Sequence, residues 1–486
     1  MVPTLGAVRR AGAALGVAAA VALAAAGCSG GQRAGGPAGS RSAPAPAPTD
    51  GSATTVAPAA ASTAAGPAPA PGCPVVHARL GPDPSRPRYT LTVDVDVSTH
   101  TASGTDEVRF TPDVATDRLV LRLWPNGPVP ASHGGHLTAG PVTVDGSVRP
   151  SSLTNPTTLV VPMAIGARQA VTVDVPWHLA IPVNLSERWS VTGASVRLAS
   201  FVPVLAWEPG VGWDTEAPTV VHGEATSTPA ADWDVRVDAH GLDVLAVGTQ
   251  DHPGHWTATG ARDFGLSAGR FAERTTTVNA PDPVVVTVGV AAGVGENPQT
   301  YLDKAAKVIV SFAGRFGAYP FPAYTLAVTP GLVGGIEDPM FTMQGPGTIG
   351  RSTTHEIGHM WFYALVGNDQ ARDPWLDEGL ATWAEAGYEG TLASFVARPV
   401  PADAKGRSGQ PVSYWDGHAS SYYRGVYVQP AQALAALGPA ARVDCVLAAY
   451  VADFAWRIAR PVDLIGVLAG TFPEAAAVLA AVGIRP

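Results

Sequence analysis

A chain of 486 residues, 46% of them hydrophobic, is long enough for two or three domains with their own cores and is not disordered as a whole. Forty acidic residues against 31 basic ones leave a formal charge of −9, with no cluster of Lys and Arg to interrupt that balance. Nucleic acid is therefore excluded as the expected partner, because neutralising phosphates takes clustered cations.

The N-terminus opens with the basic pair Arg9 and Arg10, followed by an apolar run from Ala11 that stops at Cys28. That run is shorter than the roughly 20 residues of a bilayer-spanning helix and suits a secretory signal. Its end, Leu23-Ala24-Ala25-Ala26-Gly27-Cys28, resembles a bacterial lipobox, in which small residues precede a cysteine that is lipidated. The expectation is a lipoprotein signal peptide over 1–28 and an extracytoplasmic protein held to the membrane by lipid on Cys28. An ordinary cleaved signal would give a secreted protein instead. Residues 29–72 are almost all Ala, Pro, Gly, Ser and Thr, too poor in large apolar groups to offset the entropy of ordering, and read as a tether. Of the other cysteines, Cys73 and Cys445 are free to pair in an oxidising exterior. A buried thiol at Cys445, in its apolar helical stretch, is equally compatible with the sequence.

From Cys73 to Asp282 the pattern alternates with period two. In YTLTVDVDV, for example, Tyr89, Leu91, Val93, Val95 and Val97 face one way and Thr90, Thr92, Asp94 and Asp96 the other. Such alternation, punctuated by Gly, Pro and Asn-Gly, predicts half-buried antiparallel strands and an all-β domain over 73–282. His133 and His136 in SHGGH, and His252 and His255 in DHPGH, fall in Gly/Pro-rich stretches and read as solvated loop residues.

After NAPDPVVVTVGV the period changes. Tyr301, Leu302, Ala305, Ala306, Ile309 and Phe312 recur at helical spacing, with Pro298 near the start and Gly314 and Gly317 near the end, and a short strand AYTLAVTP follows. Beyond residue 350 nearly everything reads as helix, including STTHEIGHMWFYALVG, PWLDEGLATWAEAGYEG, VQPAQALAAL and RVDCVLAAYVADFAWRIA. Residues 283–486 thus form a second, mainly helical domain with a small sheet.

The chemistry concentrates in TTHEIGHMWF. On a helix, positions four apart lie one above the other, so His355 and His359 can present imidazoles to one metal ion while Glu356 points toward a bound water. Nineteen residues after His359 stands Glu378, and two histidines with one glutamate form a standard three-ligand set for catalytic zinc. Singly, Glu378 would be an ordinary acid in the first turn of a helix; together the three residues predict a site for one Zn2+ ion.

HEIGHMWF, the glutamate of WLDEGLATWAE and an upstream GGIEDPM together resemble the aminopeptidase N family of gluzincin metallopeptidases, peptidase family M1. The resemblance runs from about residue 73 to the C-terminus and is strongest over about 298–430. It implies a saddle-like or sandwich β domain followed by a thermolysin-like catalytic domain. It implies an aminopeptidase that hydrolyses N-terminal residues from peptides with a free N-terminus, with His355, His359 and Glu378 as zinc ligands and Glu356 as general base. Glu337 would bind the substrate's α-amine, and Gly334 and Gly335 would let the substrate backbone approach like an added strand. GGIEDP taken alone reads as a plain turn. In SYYRGVYV the family pattern selects Tyr422 as the donor to the transition-state oxyanion, with Tyr423 and Tyr427 as neighbouring competitors. Glu385, seven residues after Glu378 on the same helix face, would orient a ligand histidine or stand as a surface acid. Ile336 and Asp338 replace the Met and Asn more usual in the exopeptidase motif, and no counterpart of the family's amine-gripping glutamine stands out in the β domain. The chain also ends at Pro486, short of the helical C-terminal domain of longer family members, which implies a more open cleft. A zinc endopeptidase and a non-catalytic, peptide- or partner-binding envelope lipoprotein are the alternatives.

Overall fold

The computed structural model describes residues 72–220 and 228–486; the expected signal, Cys28 and the tether up to residue 71 lie outside the described residues. The first strands follow the alternation read from sequence. Arg88–Asp96 buries Tyr89, Leu91, Val93 and Val95 and exposes their neighbours. It pairs antiparallel with Thr101–Phe110, which pairs with Val171–Ala180, and these form the centre of a nine-stranded sheet. One pairing departs from the antiparallel expectation: Arg88–Asp96 runs parallel to Ala231–Asp238. A parallel neighbour needs a long return path, and the intervening chain supplies one through two smaller sheets of four strands each. The inner face is sealed by aromatic rings, including Tyr89 stacked on Trp233 at 3.9 Å and Phe110 against Trp207 at 5.4 Å.

A five-stranded sheet begins the second half, in the order Phe271–Asn279, Pro283–Ala291, Ala323–Val328, Phe341–Gln344, Gly335–Asp338. Its first two strands are one hairpin across positions 282 and 283, so this sheet draws a strand from the stretch preceding that boundary. Pro283–Ala291 and Ala323–Val328 are parallel and joined by the helix Pro298–Phe316, as the handedness of strand–helix–strand units favours. That helix begins where the sequence placed it: the Asn297 side chain accepts from Gln299 N, Pro298 occupies the first turn, and Gly317 ends it at φ +95°. Its apolar stripe, Tyr301, Leu302, Ala305, Ile309 and Phe312, is buried.

The edge strand Gly335–Asp338 lies beside the helix Arg351–Gly358, which packs on the helix Trp375–Tyr388. Gly358 faces Ala381 there, and the absence of a side chain lets the two backbones come close. Helix Gln429–Leu437 packs on Trp375–Tyr388, and helix Ala440–Asp453 packs on Pro298–Phe316. The open question about the cysteines is resolved in favour of pairing: Cys73 and Cys445 form a disulfide with Cα atoms 5.7 Å apart, tying the start of the described chain to the helix Ala440–Asp453.

Two buried arginines of the β domain lock the halves together. Arg262 donates to the carbonyls of Tyr363 (2.9 Å), Arg457 (2.6 Å) and Thr228 (3.1 Å), and Arg197 donates to the Pro330 and Leu185 carbonyls. At the periphery Arg460 donates to Glu208 Oε1 from Nε at 2.9 Å and Nη2 at 2.5 Å.

Candidate active site

The helix carrying the histidines spans only Arg351–Gly358, shorter than the continuous helix expected through STTHEIGHMWFYALVG. His359 still has helical dihedrals, φ −63° and ψ −14°, so it stacks one turn after His355 as the spacing requires. Beyond it the chain turns away at Tyr363, where φ is +126°. Met360 and Trp361 close tighter turns on Ile357 and Gly358, and farther on Arg262 of the β domain takes the Tyr363 and Leu365 carbonyls that a longer helix would need for its own ladder. Trp361 is drawn the other way, its indole N–H donating to the Gly317 carbonyl at 2.9 Å.

Three donor atoms converge. His355 Nε2 lies 3.0 Å from Glu378 Oε2, His359 Nε2 lies 3.2 Å from His355 Nε2, and His359 Nε2 lies 3.5 Å from Glu378 Oε2. Donors held about 2.0–2.2 Å from a tetrahedral zinc ion stand roughly 3.3 Å apart, so the triangle has the dimensions such an ion requires. The remaining ring nitrogens are spoken for. His359 Nδ1 faces the Phe362 carbonyl at 3.1 Å, which accepts only, so a proton on Nδ1 is held there and Nε2 is the nitrogen that would face a bound metal. His355 Nδ1 lies 3.4 Å from Glu385 Oε2. Glu385 is buried and held by Arg351, so it orients His355 and is not a surface acid.

Charge in this pocket favours a cation. Burial alone would raise the Glu378 carboxyl, but hydrogen bonds from His355 and His359 outweigh it and hold Glu378 far below the usual carboxylate range. Burial likewise opposes protonation of His359, yet Glu337 and Glu378 overcome it and lift the imidazole to about 9. Burial pushes the Glu356 carboxyl up to about 7, against the pull of His355 and His359. Two imidazoles facing Glu337, Glu356 and Glu378 in a dry pocket form a donor set that a divalent cation would satisfy.

Gly335 explains its own presence, because a Cβ there would collide with the Glu356 side chain that lies across it. Gly334 has φ +83°, which a side chain would resist, and it turns the chain into the edge strand. On that strand Glu337 and Asp338 point to opposite faces. Glu337 comes to within 4.8 Å of Glu356 and His359, donor atom to donor atom. Asp338 turns away toward Gly265 of the β domain, where burial and the Asp263 carboxylate push it well above the usual range against the pull of Arg188. The additional acid in GGIEDPM therefore sits behind the strand.

A residue that sequence reasoning missed stands beside Glu337. Arg188 Nη2 lies 3.6 Å from Glu337 Oε1. Burial works against the charge on this guanidinium, but Glu337, Glu187 and Asp338 outweigh it and hold Arg188 charged. It comes from the loop before Ser190–Thr192 in the β domain, and no motif around "LSERWS" marks it.

The three tyrosines differ in their partners. Tyr423 Oη meets Arg351 and Arg398, each at 3.2 Å. Tyr427 Oη donates to Glu378 Oε1 at 2.5 Å and so fixes the ligand carboxylate. Tyr422 Oη is buried without a hydrogen-bond partner among the described residues. Burial, with Glu378 and Asp377 nearby, pushes its phenol well up, so it stays a proton donor. A π-helical turn over Tyr423–Val428 brings the Tyr422 and Tyr427 rings to 5.8 Å, and Gly425 gives room to Trp415.

No family model and no curated protein matches the chain. Solved structures do. An M1 zinc metallopeptidase from Deinococcus radiodurans aligns with TM-score 0.60 and 19% identity over 84% of this chain and 95% of that one. A mutant M1 zinc metallopeptidase from that organism, bound to a Tyr-Ser-Ala substrate, gives TM-score 0.62 and 19% identity over the same shares. A two-domain M1 zinc metallopeptidase mutant bound to L-arginine gives 0.59 and 18%, over 82% and 96%. The chain has the two-domain M1 metallopeptidase fold. In this M1 fold the cluster of His355, His359, Glu378, Glu356, Glu337 and Tyr422 is assembled from the edge strand, the two packed helices and the π-helical turn.

Proposed function

We propose that the protein is a zinc-dependent aminopeptidase that removes N-terminal residues from peptides. The observation that carries the reading is the triangle of His355 Nε2, His359 Nε2 and Glu378 Oε2 with sides of 3.0, 3.2 and 3.5 Å, flanked by the buried Glu356. His355, His359 and Glu378 would hold one zinc ion, which when bound supplies Lewis acidity that polarises a carbonyl and acidifies water. Glu356, raised toward neutrality by burial, takes the proton of the attacking water and returns it to the leaving amine. The free Tyr422 hydroxyl donates to the oxygen that gains negative charge. Glu337 receives the substrate's ammonium, which sets the distance from the chain end to the scissile bond. The unpaired edge of Gly335–Asp338 offers backbone groups to an extended peptide.

One observation favours zinc endopeptidase action as a second reading. Arg188 already stands by Glu337, and a guanidinium there competes with the ammonium of a free N-terminus. A peptide with a free amine is compared with its N-acetylated form, with and without chelator. Aminopeptidase action predicts cleavage of the free peptide alone, with Glu337→Gln losing about 10–100-fold, as expected for a charged hydrogen bond of roughly 1.5–3 kcal/mol. Equal cleavage of both forms would establish the endopeptidase instead. Peptides with a free N-terminus are the proposed substrates, as Tyr-Ser-Ala is for the Deinococcus radiodurans structure.

We further propose export to the cell envelope, with the membrane anchor at Cys28. The Cys73–Cys445 disulfide supports an oxidising, extracytoplasmic location.

A further inference from the structure

The histidines of DHPGH lie on strands and not in a loop; His252 is exposed, as expected, whereas His255 is buried. Thr249–His252 and His255–Ala261 are paired strands at the edge of the nine-stranded sheet, and His252 and His255 face each other across the turn made by Pro253 and Gly254. Proline presets the first turn position and Gly254, at φ +80°, accepts the second, so the two imidazoles are held side by side with centroids 4.6 Å apart. Normal alternation would send Asp251 to the opposite face. The register shifts between Gln250 and His252, and this bulge re-aims the Asp251 carboxylate onto the histidine face. Asp251 Oδ1 consequently lies 2.7 Å from His252 Nδ1 and 2.6 Å from His255 Nδ1. Behind them His255, only 8% exposed, meets Asp234 Oδ1 with Nε2 at 2.8 Å.

From this geometry we infer that Asp251, His252 and His255 form a second metal site, separate from the catalytic cluster, that takes a divalent first-row transition ion such as Zn2+, Ni2+ or Cu2+. Asp251 Oδ1 touches both Nδ1 atoms, one donor atom from each of the three residues lies within 4.8 Å of the others, and two imidazoles with one carboxylate suit these ions better than Ca2+ or Mg2+. Asp234 supplies what metal-bound histidines usually have, a carboxylate on the opposite ring nitrogen that fixes tautomer and orientation. His255 faces a carboxylate oxygen at each ring nitrogen, Asp251 at Nδ1 and Asp234 at Nε2, either of which can accept a hydrogen bond from a ring N–H. Metal binding replaces the Nδ1 proton, which leaves to solvent, while Nε2–H stays on Asp234. Asp251 then moves outward by under roughly 1 Å to reach ligand–ligand separations near 3.3 Å. Asp251 and His252 are about half exposed, so the position opposite the sheet is open to water.

Metal-free full-length protein titrated with Zn2+ or Co2+, followed by calorimetry and by the visible absorption of Co2+, tests the site. The expected result is two equivalents for the natural sequence, one for His252→Ala and one for Asp251→Asn, with peptidase activity unchanged in both. His359→Ala, which removes a ligand of the catalytic cluster, should retain the hairpin equivalent. Loss of all binding in His359→Ala, or two equivalents persisting in both hairpin variants, would overturn the site. If the natural sequence bound one ion, lost in His252→Ala and kept in His359→Ala, the hairpin site would stand and the catalytic zinc would fall.

Discussion

Two clusters of imidazole and carboxylate can be set side by side in this molecule. One is clamped between the helices Arg351–Gly358 and Trp375–Tyr388, and the other caps the hairpin Thr249–Ala261. Both bring three donors within 4.8 Å, so convergence of ligands does not distinguish them. Their surroundings do. The helical cluster is buried, its His355, His359 and Glu378 are steadied by Glu385, Phe362 and Tyr427, Glu356 and Glu337 lie within 4.8 Å of His359, and the Tyr422 hydroxyl is without a partner among the described residues. The hairpin cluster has one orienting carboxylate, Asp234, and no base, no free hydroxyl donor and no amine receptor among the described residues. Metal binding needs ligands, whereas hydrolysis also needs preorganised groups in a site that excludes water.

Substitutions sharpen that contrast in descending order of effect. Glu356→Gln is expected to lower kcat by about 10³-fold while metal content stays at its normal value, since a positioned general base contributes roughly 10²–10⁴-fold. Steady-state kinetics beside metal analysis checks both halves, and turnover within a few-fold of normal would remove Glu356 from the chemistry. Tyr422→Phe should cost about 10²-fold in kcat with little change in KM, as for loss of one oxyanion donor. Tyr427→Phe, which frees a ligand carboxylate instead, should show its loss in metal affinity; the same kinetic signature in both variants would erase the distinction drawn between the two phenols. Glu385→Gln should weaken metal binding by about 10–100-fold, read by competition with a chelator, through a less firmly oriented His355. His252→Ala should leave kcat/KM unchanged, and a loss there would break the separation of the two clusters.

How much of this was written in the sequence depends on how far each contact reaches along the chain. His355, Glu356 and His359 are fixed relative to one another by a single helical turn, and Glu378 by one short connection to the next helix, so spacing sufficed to find them. The helix Pro298–Phe316 was equally legible, because its cap, its stripe and its terminating glycine are local. Arg188, Arg262 and the disulfide were not, since their partners are remote; Cys73 and Cys445 are 372 residues apart and Arg262 reaches Tyr363 across 101. The overestimated helix after His359 runs into a segment whose Tyr363 and Leu365 carbonyls are taken by Arg262, a contact equally remote in sequence. The family pattern points to Tyr422, and the structure adds that among the described residues its hydroxyl has no partner while those of Tyr423 and Tyr427 do. The burial of His255 and its contact with Asp251 were not legible, because a bulge, which no periodicity displays, sets the direction of Asp251.

The central claim is that one metal ion sits among His355, His359 and Glu378. Anomalous diffraction at the zinc absorption edge from crystals of the zinc-loaded protein measures it directly. The account predicts a peak about 2.0–2.2 Å from His355 Nε2, His359 Nε2 and a Glu378 carboxylate oxygen. Side chains that diverge with no peak between them, in crystals that retain activity, would contradict it.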